Sequence, residues 1–130
     1  MEKIQLNFIH ICDSAFLSKE DKINIIGDFD KIYVPKIPGT DKIFYSFFVV
    51  TNFTVQEPGE YEQQIMIKSK DEKTIILNIP AKNTVTSPGK IGFIGNFGIV
   101  FPSYGEYKLE VQIAGIKNVL PLFIIDPEKK

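Results

Sequence analysis

Gly59-Glu60-Tyr61-Glu62-Gln63-Gln64-Ile65-Met66-Ile67 returns 46 positions later as Gly105-Glu106-Tyr107-Lys108-Leu109-Glu110-Val111-Gln112-Ile113. Each copy leaves a proline-containing stretch (Pro58, Pro102) and passes Gly-Glu-Tyr. Each then alternates apolar with polar residues, turns, and comes back as a second apolar run ending near Ile79 or Ile125. A period of two is that of a strand with one face on a core. The chain therefore carries one β-hairpin twice, and duplicated hairpins build sheets without implying any chemistry.

The same period runs outward from the repeat, and helical spacing is almost absent. Ile4, Leu6, Phe8, His10 and Cys12 share one face of a first strand; the opposite face, Gln5, Asn7, Ile9 and Ile11, turns apolar halfway. Ser14 to Lys22 reads as a polar break, Ile23–Ile26 and Phe29–Val34 as strands around a Gly27-Asp28 kink, and Pro35 to Asp41 as a loop. Ile43, Tyr45, Phe47, Val49, Phe53 and Val55 line one face of a long strand, the best candidate for the centre of the core. After the first hairpin, Pro80 to Gly89 is the longest irregular stretch. Ile91, Phe93, Phe97, Ile99 and Phe101 then line another strand, and the second hairpin turns near Gly115 to Asn118. Eight or nine short strands joined tightly argue for an all-β fold, a single antiparallel β-sandwich spanning residues 1–130 without a linker.

Length and composition agree with this reading. A chain of 130 residues with 44% hydrophobic residues and a formal net charge of −1 fits one soluble domain, which buries roughly two thirds of the surface of its unfolded chain. The 15 basic residues are all lysine, dispersed and balanced by 16 acids, so no face is built for nucleic acid. With no arginine and no tryptophan, any binding surface must rely on tyrosine, phenylalanine and lysine. Cys12 is the only cysteine, which excludes an internal disulfide and fits a reducing cytoplasm. No signal peptide and no membrane-spanning run is legible.

The order Cys12-Asp13-x-Ala15, then Lys22-Ile23-x-Ile25-Ile26-Gly27-x-Phe29-Asp30-x-Ile32, then prolines, and late in the chain Gly105-x-Tyr107, resembles an uncharacterised bacterial family labelled only as a domain of unknown function. The resemblance spans most of the chain and rests on core and turn residues. It implies an immunoglobulin-like β-sandwich and brings no activity or site with it.

Residues able to carry chemistry are few. His10 and Cys12, two apart on a strand, point the same way and could supply two ligands to a soft metal, or a Cys-His dyad. Two ligands are not a site, and one strand offers neither an orienting residue nor an oxyanion donor. Asp28 and Asp30, with Asp13, Asp21 or Asp41, could make an oxygen-rich calcium site if loops converge. Gly89, Gly92, Gly95 and Gly98 lack the order of a phosphate loop, and read instead as bulges, twist or a close backbone approach. Asn52-Phe53-Thr54 fits a glycosylation acceptor by chance. Tyr61 and Tyr107 are scaffold. Tyr33 and Tyr104, beside loop prolines, are the better ligand candidates. The expectation is a non-enzymatic domain without cofactor, working through protein contacts either on an unpaired strand edge, self-association included, or on the loop end formed by Pro35 to Asp41 and Ala81 to Gly89. The alternative is a sandwich that binds carbohydrate or calcium with its end loops.

Overall fold

The computed structural model describes residues 4–17, 23–28 and 31–129. Nine strands are described: β1 (Ile4–Leu17), β2 (Ile23–Asp28), β3 (Lys31–Tyr33), β4 (Ile43–Val55), β5 (Gly59–Ser69), β6 (Ile75–Val85), β7 (Gly89–Phe101), β8 (Gly105–Ile113) and β9 (Ile116–Ile125). A single 3-10 turn, Pro127–Lys129, follows. The strands form two sheets, ordered β2-β1-β4-β7 and β3-β9-β8-β5-β6. The fold is all-β and of the β-sandwich type, as the alternation leads one to expect. Among the described residues no helix is long and apolar enough to cross a membrane.

The chain divides into two compact units, each drawn from three separate segments. The first comprises Met1–Phe29, Ser46–Glu60 and Thr84–Gly98; the second comprises Asp30–Tyr45, Tyr61–Asn83 and Ile99–Lys130.

In the first unit, β1 pairs antiparallel with β4, and the register slips between Leu6 and Phe8. Asn7 is the extra residue of a β-bulge, and its side-chain amide donates to Asn52 Oδ1 (2.7 Å) and Thr54 Oγ1 (2.8 Å). A bulge inverts the facing of everything beyond it. Ile4 and Leu6 stand opposite Val55 and Phe53, whereas Ile9 and Ile11 take the same face opposite Thr51 and Val49. The expected single face from Ile4 to Cys12 is thus corrected: Phe8, His10 and Cys12 lie on the other side. This is also why the second face turns apolar halfway. There Cys12 and Val50, both 0% exposed, and Ala15 form a small cluster with Phe8, Phe48 and Ile94 against it. The sheet is therefore apolar on both faces around β4. The acceptor pattern at Asn52 sits inside β4, with Asn52 buried.

The second unit is organised by the repeat. In the β5·β8 ladder Ile65 stands opposite Val111, the position equivalent to it in the second copy, with Ile67 opposite Leu109 and Gln63 opposite Ile113. The two copies meet through their first strands, related by a local two-fold axis through that pair. Ile65, Ile67, Leu109, Val111, Ile113, Leu122 and Ile124 are fully buried, each side chain contributing roughly 1.5–3 kcal/mol. The described ladders are antiparallel except β3·β9, where Lys31–Tyr33 run parallel to Phe123–Ile125. No hairpin joins these two strands, so the pairing is free to be parallel.

Turn chemistry sets the hairpin ends. Ala114 (φ 47°) and Gly115 (φ 82°) make a two-residue turn closed by the Ile113–Ile116 pair, so the second hairpin turns earlier and more tightly than Gly115 to Asn118. Positive φ at both positions is the type I′ geometry whose twist suits a hairpin. The first hairpin uses Ser69–Thr74 instead: Glu72 N–H donates to the Ser69 carbonyl (2.8 Å), and Asp71 Oδ1 accepts from the Ser69 hydroxyl and from Lys73 N–H. Two further expectations change. β1 runs on to Leu17, so Ser14 to Leu17 is strand; residues 18–22, 29 and 30 lie outside the described residues. β6 runs through Pro80 to Val85, because β6 ends its sheet and proline lacks a donor that an outer edge does not need.

Tyr107 closes the connection between β7 and β8. Its hydroxyl donates to the Ser103 carbonyl (2.6 Å) and accepts from Ser103 N–H (3.3 Å), with its ring 5.1 Å from that of Phe101. The side chain thereby ties the start of β8 to the backbone just upstream of it. Tyr107→Phe leaves two backbone groups without that partner, and urea denaturation is expected to show a loss of about 1–3 kcal/mol. Ala114→Asn, which tolerates positive φ, is expected to gain about 0.5–1 kcal/mol by the same measurement.

Candidate functional site

Tyr104 lies in the connection that Tyr107 closes, and it is the sequence candidate around which a concave surface forms. Its hydroxyl donates to the Val34 carbonyl (2.7 Å), while Val34 N–H donates to the Ile125 carbonyl (3.1 Å), so the ring is held against the strand pair β3·β9. Pro35, Lys36, Tyr104, Asp126, Pro127 and Glu128 line a cleft of about 290 Å³. The two prolines stiffen its walls, and the Asp126 carboxylate accepts from Glu128 N–H (3.0 Å), which starts the closing 3-10 turn. Desolvation, together with the negative charges of Asp126 and Glu128, holds the Tyr104 phenol above its ordinary value of 10.0. Lys36 answers that charge with its ammonium 5.9 Å from the Tyr104 ring centre, and it also pairs with Asp41 at 3.9 Å. The cleft offers an aromatic face with charges of both signs, a surface for a small polar ligand; it pairs no nucleophile with a base.

The other candidates do not converge on it. Tyr33 is 49% exposed on β3 and does not line the cleft. Asp28 faces Cys12 across the β1·β2 ladder, and of its position only the backbone is described; Asp30 and Asp21 lie outside the described residues. Asp13 is exposed on β1 and Asp41 is engaged by Lys36. Among the described residues no three His, Cys, Asp or Glu side chains gather as a metal site would require. Cys12 is wholly buried among apolar side chains, its Sγ 3.9 Å from the Phe48 carbonyl, and the His10 ring leans on Phe8 at 5.1 Å. A thiol so enclosed is a core residue rather than a nucleophile.

Sequence reasoning expected an edge as a contact surface but did not say which strand would form it. β7 is 13 residues long, ends its sheet, carries no proline and bears one charge, Lys90. Natural edges are blunted by shortness, proline or charge. β3 has three residues, β2 six, and β6 holds Pro80 and Lys82; β7 has none of these protections along its middle. The glycines at 89, 92, 95 and 98 were the available signal, but spacing alone does not tell an edge from an interior strand.

Comparison with known proteins places the chain. The model of DUF6941, described as a family of unknown function, matches residues 7–124. The chain belongs to this family. The matched span holds Gly59–Ile67 and Gly105–Ile113, Tyr104 and all of β7, and stops short of Asp126 and Glu128. Among solved structures the chain is similar to the C-terminal domain of wzt, with 11% identity and a TM-score of 0.59 over 97% of this chain and 75% of that one. That likeness shows the β-sandwich-type fold alone. A putative ApaA protein from Bordetella pertussis aligns at 12% identity over 91% of this chain and 89% of that one, with a TM-score of 0.37. No curated protein sequence matches the chain.

On the second unit the family member also carries a buried carboxylate that alternation had assigned to a polar face. Glu110 is 1% exposed, with Lys68 at 3.1 Å and Lys117 at 2.9 Å, and it accepts from the Gln112 amide (2.8 Å). Glu72 lies at 3.4 Å from Lys108 and 3.5 Å from Lys117, extending the network. Burial pushes the Glu110 carboxyl up, but the ammonium groups of Lys117 and Lys68 beside it and the hydrogen bond from Gln112 outweigh burial and hold the group below its ordinary value of 4.5. Polar alternation at Lys108, Glu110 and Gln112 was legible, but the lysines that enclose Glu110 come from β5 and β9.

A lowered folded-state value means that the unfolded chain takes up the proton first. The stabilisation is therefore complete above the ordinary glutamate range and is lost as pH falls through the folded value. Urea midpoints are expected to fall as pH drops below about 4.5. Glu110→Gln is expected to cost about 1–3 kcal/mol at neutral pH and to flatten that acid dependence; the cost stays modest because Lys117, half exposed, can return to water.

Proposed function

We propose that this domain is a non-enzymatic protein-interaction or assembly module of the bacterial cytoplasm, an immunoglobulin-like sandwich that takes a partner strand onto the edge at β7. The observation that carries the reading is the unprotected β7 edge beside three edges that are short or interrupted. Main-chain groups along such an edge supply affinity for an added strand, and alternate side chains supply selectivity. Support for the immunoglobulin-like arrangement comes from the order β9-β8-β5-β6, the parallel β3 laid on β9, and the tyrosine corner at Tyr107. Support for a non-catalytic role comes from the chain's single histidine and single cysteine, the latter sealed in an apolar cluster. The cytoplasmic assignment rests on that lone, reduced cysteine. A second reading, a loop-end site for a small ligand such as a carbohydrate, is favoured by the Tyr104 cleft.

Gly98 is exposed on β7, and a lysine there is the device by which other edges are closed. Gly98→Lys is expected to weaken any complex of the full chain at least about tenfold in a binding titration or sedimentation run, whereas Lys82→Ala on β6 leaves it intact. Complexes indifferent to Gly98→Lys, or a chain that joins neither itself nor any co-purifying protein, would remove the proposal.

A further inference from the structure

Along the middle of β7 the sequence reads almost alike in both directions: Ile91-Gly92-Phe93-Ile94-Gly95-Asn96-Phe97-Gly98-Ile99, with only Ile94 and Asn96 breaking the mirror. An antiparallel ladder between two copies of one strand reverses the order of residues, so a palindromic edge sets like against like about a two-fold axis. Such an interface is isologous and closes at two chains. Resting on the reading of β7 as a docking edge, we infer that the strand it receives is β7 of a second copy of this chain, antiparallel, with the two-fold through Gly95.

That register places Phe93 opposite Phe97 of the second copy, Ile91 opposite Ile99, and Gly92 opposite Gly98, each pair occurring twice. Aromatic and β-branched pairs are the favourable cross-strand neighbours. The Phe93 and Phe97 rings already stack within one chain, 6.3 Å apart and inclined by 18°, and they close over Gly95, where an added Cβ would meet both rings at 2.7 Å. Glycine on the axis thus leaves room for two pairs of rings while the backbones approach within ladder distance. Lys90, the one charge of the strand, falls opposite Val100, so no like charges confront each other. A register shifted by two residues breaks the Phe–Phe and Gly–Gly matches together. The devices that close the other edges are missing where two copies would meet.

The test is sedimentation equilibrium of the full chain from micromolar to millimolar concentration, on the wild type and two double variants. Gly92→Lys with Gly98→Lys sets ammonium groups face to face across the axis. Gly92→Lys with Gly98→Glu sets opposite charges at the same two places. Circular dichroism melts check that both remain folded, and the matched positions make any cost to the monomer common to both. The wild type is expected to dimerise, the like-charged variant to dissociate at least about tenfold more readily, and the oppositely charged one to keep its dimer. A wild type that stays monomeric, or two variants that respond alike, overturns the inference. If the isolated chain is monomeric yet Gly98→Lys still ejects a different protein from β7, the docking-edge reading survives and the second-copy assignment falls.

Discussion

The pairing of β5 with β8 is the constraint on which the larger sheet depends. Ile65 and Val111 face each other at equivalent positions of the repeat, so each copy supplies the other's neighbour and the ladder has one register that buries both apolar rows. A slip by one residue would turn Ile67, Leu109 and Ile113 outward and bring Lys68, Lys108 and Glu110 inward, losing several buried side chains at once. With that ladder fixed, β6 and β9 follow as the outer arms of the two hairpins, and only the ends of the sheet remain to be settled. The opposite face is held differently. Glu110, Lys68, Lys117 and Gln112 make a connected polar set there, in which the buried carboxylate is neutralised by a lysine from each neighbouring strand.

Period-two alternation made most of this fold legible, because it reports directly which side of an extended segment meets a core. It misled where the backbone departs from ideal pleating. Nothing in Leu6-Asn7-Phe8 announces a bulge, since an asparagine in a strand is equally an ordinary polar residue; only the amide reaching Asn52 and Thr54 gives it away. Pro80 was read as the end of a strand because proline interrupts an interior ladder, and it is compatible with β6 only because nothing pairs on that side. Pro121 behaves likewise: it pairs with Lys108 on one side of β9, while the three-residue β3 reaches only Phe123–Ile125 on the other.

The candidate sites were legible in part. Tyr104 stood out beside prolines and does line a cleft, but its partners Asp126 and Glu128 come from the far end of the chain. Which distant segments share a surface is a property of topology, and local spacing does not contain it. The same holds for Glu110, whose lysines come from both neighbouring strands, and for the edges, since the order of strands in a sheet is not the order in sequence.

Strand order also changes the meaning of the glycines in β7. In an interior strand four glycines would weaken the ladder, lacking side chains to pack and adding freedom to the unfolded chain. On an edge the same residues keep the strand slender on one face while Phe93 and Phe97 cover Gly95 on the other, which recovers packing without adding bulk. A protein under pressure only to stay apart from its neighbours gains nothing from such an edge, because a single lysine or proline in the middle would guard it. The pairing proposed for β7 would fill such an edge, which is apolar and nearly palindromic. A two-fold contact limits the danger as well: two edges that pair with each other are both consumed, so association stops at the dimer instead of running on into a fibre.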